Sequence, residues 1–318
     1  MDVVVAGGSG LLGRALCGAL VQAGHRVAIL SRAPSRTSGI DQRIETVAWD
    51  PTRSASDQAW VERLARADAI VNLAGENVGG RGPLPARWTP DFKRSLRGSR
   101  LGATHAIVGA LAATPARSRP GVLVNASAIG FYGSRGDELL TESSAPGTDF
   151  FGTLCVEWEA AVRAVEECGV RVVVVRTGVV LDCQAMAAKL LVLASRSGVG
   201  GPLGSGQQWW SWIHRDDVVG LIMHALGTES LRGPMNAVAP YPRRMADFPR
   251  VLGKLLHRPS VVPTPAFALR LVFGEVADAL LLASQRVVPE RALETGYVYR
   301  YPTLEQALQV VVGASAPV

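Results

Sequence analysis

The sequence predicts an α/β fold: a doubly wound parallel sheet with a small, helix-rich C-terminal lobe. Three features point to it. Short apolar runs alternate with helical segments up to about Leu181, a glycine-rich turn lies at the first strand–helix junction, and the alternation then gives way to a stretch broken by glycine and proline. Strands apolar along their whole length are covered on both faces, as in a parallel sheet between two helical layers.

In chain order, Val3 to Ala6 is the first strand, and a helix runs from Leu11 to Ala23, stopped by Gly24. Val27 to Leu30 is the second strand and Ile44 to Trp49 the third; a polar helical stretch around Asp57 to Ala67 leads to the fourth, Ala69 to Leu73. Thr89-Pro90 is a cap followed by proline at the first helical position, opening a helix to about Ala112. Val122 to Asn125 is the fifth strand, Phe151 to Glu167 a helix ended by Gly169, and Val172 to Val175 the sixth strand. Beyond it, Gly198 to Gly206 has Gly or Pro at most positions, and Trp209, Trp210 and Trp212 follow. Prolines at 259, 263, 265, 289 and 302 punctuate the remainder.

Composition narrows the function classes. Of the 318 residues 48% are apolar and 19% charged, enough for a sizeable core and too hydrophobic for a disordered chain. No apolar run approaches the roughly 18 residues of a membrane span. Met1 is followed by Asp2 and a strand rather than a cleavable leader. The net charge of +6 rests on scattered arginines, with only Lys93, Lys189 and Lys254 as lysines, which argues against a polyanion partner. Cys17, Cys155, Cys168 and Cys183 show no metal-ligand spacing, so free thiols in a reducing cytoplasm are expected, with no metal.

Gly7-Gly8-Ser9-Gly10-Leu11-Leu12-Gly13 carries the chemistry. Glycines at Gly7, Gly10 and Gly13 permit a tight turn and close approach of backbone to a diphosphate, and the N-terminus of the helix starting at Leu11 and Leu12 offers N–H donors. At the first strand–helix junction this spacing predicts dinucleotide binding. A free 2′-hydroxyl is usually met by an acid about 20 residues on. Here the second strand ends Ser31-Arg32 and no acid appears before Asp41, which favours NADP(H). The fourth strand closes with Asn72-Leu73-Ala74-Gly75, small enough for a nucleotide to lie over the sheet edge.

With these motifs, Ser127-Ala128-Ile129-Gly130-Phe131-Tyr132-Gly133, Arg176-Thr177-Gly178-Val179-Val180-Leu181 and Trp212-Ile213-His214-Arg215-Asp216-Asp217-Val218 give a sequence that resembles the extended short-chain dehydrogenase/reductases. It resembles in particular the atypical epimerase-family subgroup, sugar-nucleotide-epimerase-like proteins with a short C-terminal domain of unknown function. The resemblance implies a Rossmann NADP(H)-binding domain over residues 1–240, with a lobe insertion at about 182–212, and a small lobe over 241–318. It also implies cofactor contacts from Ser31 and Arg32 at the 2′-phosphate, from Leu73, Ala74 and Gly75, from Arg100, from Ser127, and from Cys155. A homodimer is compatible with it.

The departures from the parent pattern matter as much. Its Ser or Thr, Tyr and Lys fall on Ala128, Phe151 and Cys155. Phenylalanine has no proton to transfer, and cysteine no fixed positive charge. Ser127 and Tyr132 are the substitute catalytic candidates, Tyr132 being either a proton donor or a packing aromatic. Glu142 reads as a loop acid, Glu159 as a helix-face acid, and His214 as a base beside Asp216 or a structural group at a helix start. Asp50 either approaches the adenine or makes a turn before Pro51. The tryptophans either wall the cleft or clamp the lobes. Two functions follow: an NADP(H)-dependent oxidoreductase or epimerase acting on an unidentified small or sugar-like substrate, or a non-catalytic NADP(H)-binding regulatory or interaction protein.

Overall fold

The computed structural model describes residues 1–32, 40–52, 58–80, 82 and 84–314. Strands β1 (Asp2–Ala6), β2 (Arg26–Ser31), β3 (Glu45–Ala48), β4 (Ala69–Asn72), β5 (Val122–Ala128), β6 (Leu139–Leu140), β7 (Arg171–Thr177), β8 (Val179–Leu181), β9 (Trp209–Trp210), β10 (Trp212–His214), β11 (Gly233–Ala237), β12 (Arg243–Arg244) and β13 (Arg286–Val287) alternate with helices. These are α1 (Leu11–Gln22), α2 (Gln58–Ala65), α3 (Pro90–Ala113), α4 (Phe150–Arg163), α5 (Met186–Arg196), α6 (Arg215–Gly227), α7 (Asp247–Leu256), α8 (Ala266–Phe273), α9 (Glu290–Glu294) and α10 (Leu304–Ala314). Asp57, expected to open the second helix, lies outside the described residues.

The main sheet has seven strands in the order β11-β7-β5-β4-β1-β2-β3. Every neighbouring pair is parallel. Alternate residues of each strand feed two separate cores. Val3 and Val5 pack with Leu16 and Leu20 of α1 and Leu221 and Ile222 of α6. Val4 and Ala6 pack with Trp60 and Leu64 of α2, Ile107 and Leu111 of α3 and Val162 of α4. A doubly wound sheet is the direct result. The sequence marks six of its strands. It misses β11, whose Gly-Pro-Met-Asn-Ala lacks a β-branched run.

Thr89 caps α3 as expected, its side chain accepting from Phe92 N at 3.2 Å, with Pro90 in the first turn. Residues 182–212 supply α5 and β9, whose buried side chains join those of α7 and α10 in a third core around Trp210, Trp212 and Phe248. Among the described residues no helix is long and apolar enough to cross a membrane. All four cysteines are free.

Candidate functional site

The glycine turn between β1 and α1 is set by close packing. Gly7 has φ +79°, and a Cβ there would lie 2.8 Å from the Leu73 carbonyl carbon. A Cβ on Gly13 would stand 2.3 Å from Gly7 O, so the helix can start here only without one. Gly10 differs: an added Cβ would meet nothing nearer than Gly7 O at 3.4 Å. Its exposed face is therefore room for something else. Gly10 caps α1 with no side-chain bond, and no acid stands in the first turn, so the positive end of the helix is left uncompensated. Leu11 and Leu12 open that helix, half-buried.

Facing the turn is a cavity of about 540 Å³. Ser9, Gly10, Arg32, Gly75, Glu76 and Asn77 line its sheet side; Gln184, Met186 and Lys189 line it from the other. Arg32 is exposed at the end of β2 beside half-buried Ser31. Asp41, the first acid downstream, is ion-paired with Arg43 at 2.7 Å, which holds its carboxyl down at about 2. Asp50 accepts from Thr52 N at 3.0 Å and from its hydroxyl at 2.7 Å, which makes it a turn aspartate.

Beneath the cavity floor, Asn72 is tied to Asn125 (2.7 Å) and Thr104 (3.2 Å), and accepts from Ala74 N, which fixes the Leu73-Ala74-Gly75 loop. Arg100 rises from α3 against Gly75: a Cβ on that glycine would be 3.2 Å from Arg100 Cγ.

At the inner end a polar network replaces open space. Ser127, closing β5, donates to Glu159 Oε1 at 2.7 Å. Arg176 on β7 clasps the same carboxylate with two bonds of 2.9 and 2.8 Å. Its third nitrogen donates to the Tyr132 hydroxyl, which donates to Asn236 Oδ1 at 2.7 Å. The guanidinium also stacks on Phe131, 3.5 Å from the ring centroid. Tyr132 has no exposed surface, and its burial raises its pKa. A proton donor needs access to its partner. Tyr132 has none, so its geometry is that of a packing aromatic. Glu159, on α4, and Glu142, in the loop after β6, are the helix and loop acids the sequence suggests, but both are buried. Glu142 accepts from Asn236 N at 2.9 Å, its other oxygen has no partner, and burial pushes its pKa up.

Phe151 and Cys155 lie on α4 beside this network. The Phe151 ring covers Gly130, where a Cβ would come within 2.1 Å of it. Cys155 is fully buried, within hydrogen-bond reach of Ser127 and Ala128, and burial pushes its thiol up to about 12. It is a neutral thiol, not a nucleophile.

His214 Nδ1 accepts from Asp216 N at 3.2 Å, capping α6, and its ring packs on Tyr301. Burial lowers its pKa, so it stands as a neutral structural cap. Trp210 packs edge-on to Phe248 and donates to Leu281 O; Trp212 donates to Tyr241 O. Both are buried in the third core, against Phe248, Leu281 and Tyr241. Arg244 and Arg286 both lie over the Trp209 ring, whose N–H donates to Asp137. Among the described residues, no group of three His, Cys, Asp or Glu side chains is disposed to hold a metal.

Residues 3–237 match the model of the NAD dependent epimerase/dehydratase family, and residues 264–311 that of a domain of unknown function, DUF1731. The chain belongs to the NAD dependent epimerase/dehydratase family. Among members of it, epimerase family protein SDR39U1 of Homo sapiens is 38% identical over 312 residues, 98% of this chain and 100% of that protein. Epimerase family protein YfhF of Bacillus subtilis is 34% identical over 98% of each chain. A solved structure of the human protein (isoform 2), described as with NADPH, superposes with a TM-score of 0.84 at 35% identity, covering 98% of this chain and 99% of that one. A UDP-glucose 4-epimerase from Thermotoga maritima has a TM-score of 0.74 at 16% identity and shares the fold.

Sequence reasoning missed the far wall of the cavity. Gln184 and Lys189 come from the segment after Leu181, where no local pattern places them opposite the glycine turn.

Proposed function

We propose that this family member binds NADP(H) in the cavity between the glycine turn and α5, with a site for a small or sugar-like substrate at the nicotinamide end. The observation that carries the reading is the pairing of an uncapped helix N-terminus, reached over Gly10, with exposed Arg32 on one cavity wall. These groups fit a diphosphate and a 2′-phosphate. A structure of a relative 35% identical is described as with NADPH, which supports the same choice. Gly7, Gly10, Leu11, Leu12 and Gly13 would hold the diphosphate, Ser31 and Arg32 the 2′-phosphate, and Leu73, Ala74, Gly75 and Arg100 the floor. Ser127 and Cys155 would border the nicotinamide. When bound, the cofactor would supply a hydride donor or acceptor.

Oxidoreductase or epimerase chemistry here would run without the usual acid–base group. Phe151 and Cys155 occupy two of the expected positions, and the Cys155 thiol stays protonated. Ser127, which would be the hydroxyl for proton transfer at the nicotinamide end, is 5% exposed with its proton directed at Glu159. That same commitment favours a second reading, a non-catalytic NADP(H)-binding regulatory or interaction protein. Calorimetry tests the cofactor: NADPH should bind at least about tenfold tighter than NADH, and Arg32→Ala should abolish the difference. Equal affinities in the unaltered protein would refute the choice. Turnover screened against sugar nucleotides separates the two functions; rapid turnover would exclude the non-catalytic one. Free thiols suit a reducing cytoplasm, while an Arabidopsis thaliana relative, 37% identical, is described as chloroplastic.

A further inference from the structure

We propose that the exposed face of α8, together with the proline-broken segment before it, docks the protein on an anionic lipid surface. Phe267, Leu271, Val261 and Val262 enter the lipid, and Lys254 and Arg258 meet its headgroups. The contact is independent of what the cleft binds.

Among the described residues fifteen large apolar side chains are exposed, and five of them, Val261, Val262, Phe267, Leu271 and Val272, fall within twelve positions. Two local causes put them there. Pro259, Pro263 and Pro265 keep residues 259–265 out of a helix, and the main chain of this segment is pinned inward instead. Arg258 N donates to Gly253 O, Thr264 N to Pro202 O, and Gly204 N to Thr264 O. A Cβ on Gly201 would overlap the Val262 main chain, so it is backbone rather than side chain that packs there. α8 then buries Leu269 alone. Phe267 and Leu271, one turn apart, share the opposite face and are 71% and 74% exposed; Val261 is 77% exposed. An apolar cluster of this kind marks a contact surface.

Charge and shape name the partner. No acid lies between Asp247 and Glu275, and these two are paired, with Arg250 and with Lys93. Arg270 on α8 is paired with Asp278 at 3.0 Å. Lys254 and Arg258 are exposed and pair with no acid among the described residues. The last turn of α7 lies on the segment, since a Cβ on Gly253 would come within 2.8 Å of Arg258 O, which sets both cations at one end of the apolar row. A second copy docked face to face would bring these same unpaired cations together, so charge opposes self-association here. A peptide helix needs a groove and a peptide strand a sheet edge, whereas these side chains project. Projecting apolar tips flanked by cations fit a bilayer interface, whose phosphates take the cations and whose acyl boundary takes Phe267 and Leu271. Arg87 donates to Leu271 O, a few residues on from Gly80 and Gly82 of the cavity wall, so the docked face adjoins the rim of the cleft.

Co-sedimentation of the full chain with vesicles tests this, using phosphatidylcholine alone and phosphatidylcholine with about one-third phosphatidylserine. The mixed vesicles should bind the protein at least about tenfold more tightly than the neutral ones, and added salt should weaken that binding. Phe267→Ser with Leu271→Ser should weaken it about tenfold, and Lys254→Gln with Arg258→Gln should remove most of the preference for anionic lipid. All four side chains are exposed, so neither pair should move the melting temperature or the affinity for NADPH, which separates this result from the reading of the cleft. Should the serine pair not fold, Phe267→Gln and Leu271→Gln, each alone, take its place. The proposal is overturned if the mixed vesicles leave the protein in solution. It is overturned too if the serine pair binds them as the unaltered chain does, since that is adsorption by charge alone. A dimer in ultracentrifugation that the serine pair dissociates, with vesicles ignored, would give the face to a second copy. A chain that ignores vesicles and stays monomeric would leave the face to a protein partner, and either result refutes docking on lipid.

Discussion

At the outer end of the cleft polar groups face open space, whereas at the inner end they face one another. The glycine turn presents an uncapped helix N-terminus, and Arg32 is exposed on the cavity wall. Some strands away, Ser127, Glu159, Arg176, Tyr132, Asn236 and Glu142 form one buried network that ties β5, α4, β7 and β11 together. Both regions hold residue types that do chemistry, but the outer one presents unspent donors to an opening, while the inner one keeps its polar groups buried. Closeness to a cofactor is therefore weak evidence of catalysis; unspent hydrogen-bonding capacity near an opening is better evidence. Tyr132, fully buried with its hydroxyl bonded to both Arg176 and Asn236, does not meet that criterion.

Glu159→Ala is the strongest way to break this contrast. Removing the carboxylate strands Arg176, 2% exposed, as a buried charge, which should cost about 3–5 kcal/mol in urea denaturation. The double change Glu159→Leu with Arg176→Met should recover much of that loss. A Glu159→Ala protein that unfolds at the wild-type midpoint would show that the network is not the structural hub described. Tyr132→Phe comes next. It leaves Asn236 Oδ1 without its donor, at about 1–3 kcal/mol, with NADPH affinity unchanged. Lost binding or turnover in a variant of normal stability would instead place Tyr132 in contact with ligand.

How far each end can be read from sequence follows from how local its interactions are. Gly7, Gly10 and Gly13 meet within a single turn, so their spacing is visible in the chain, and Arg32 stands at the end of the adjacent strand. Six strands of the main sheet announce themselves by apolar runs. The inner network is non-local. Glu159 is buried because Arg176 on β7 and Ser127 on β5 meet it, and Glu142 because Asn236, 94 residues on, comes to lie beside it. Nothing near either glutamate signals this, so both look like surface acids. The tryptophan stretch fails in the same way, because Phe248 and Tyr241, which pack on Trp210 and bond Trp212, lie beyond it in sequence.

A smaller effect sharpens the outer end. Arg32→Ala should lose about 1.4 kcal/mol of NADPH binding, a tenfold change, with no shift in melting temperature, because the side chain is exposed. Glu159→Ala should do the reverse at the other end, lowering stability first and binding only through it. Equal sensitivity of stability and affinity in both variants would erase the distinction between the two regions.

The smallest effect is one of pH, and it comes from Glu142. Its ordinary pKa is 4.5, and burial raises it in the folded protein against the opposing N–H bonds from Asn236 and Arg291. The folded state thus holds its proton more tightly than the unfolded chain does. The resulting contribution to stability is complete below pH 4.5 and is lost as pH rises through the higher folded value. Glutamine keeps an oxygen to accept from Asn236 and has no proton to lose. Glu142→Gln should therefore gain stability relative to wild type on going from about pH 4 to about pH 8, read as a widening gap between urea midpoints. A gap that stays flat, or narrows, would mean that Glu142 is ionised in the folded protein. The carboxylate would then need a partner for its second oxygen, and the inner network would have spare accepting capacity after all.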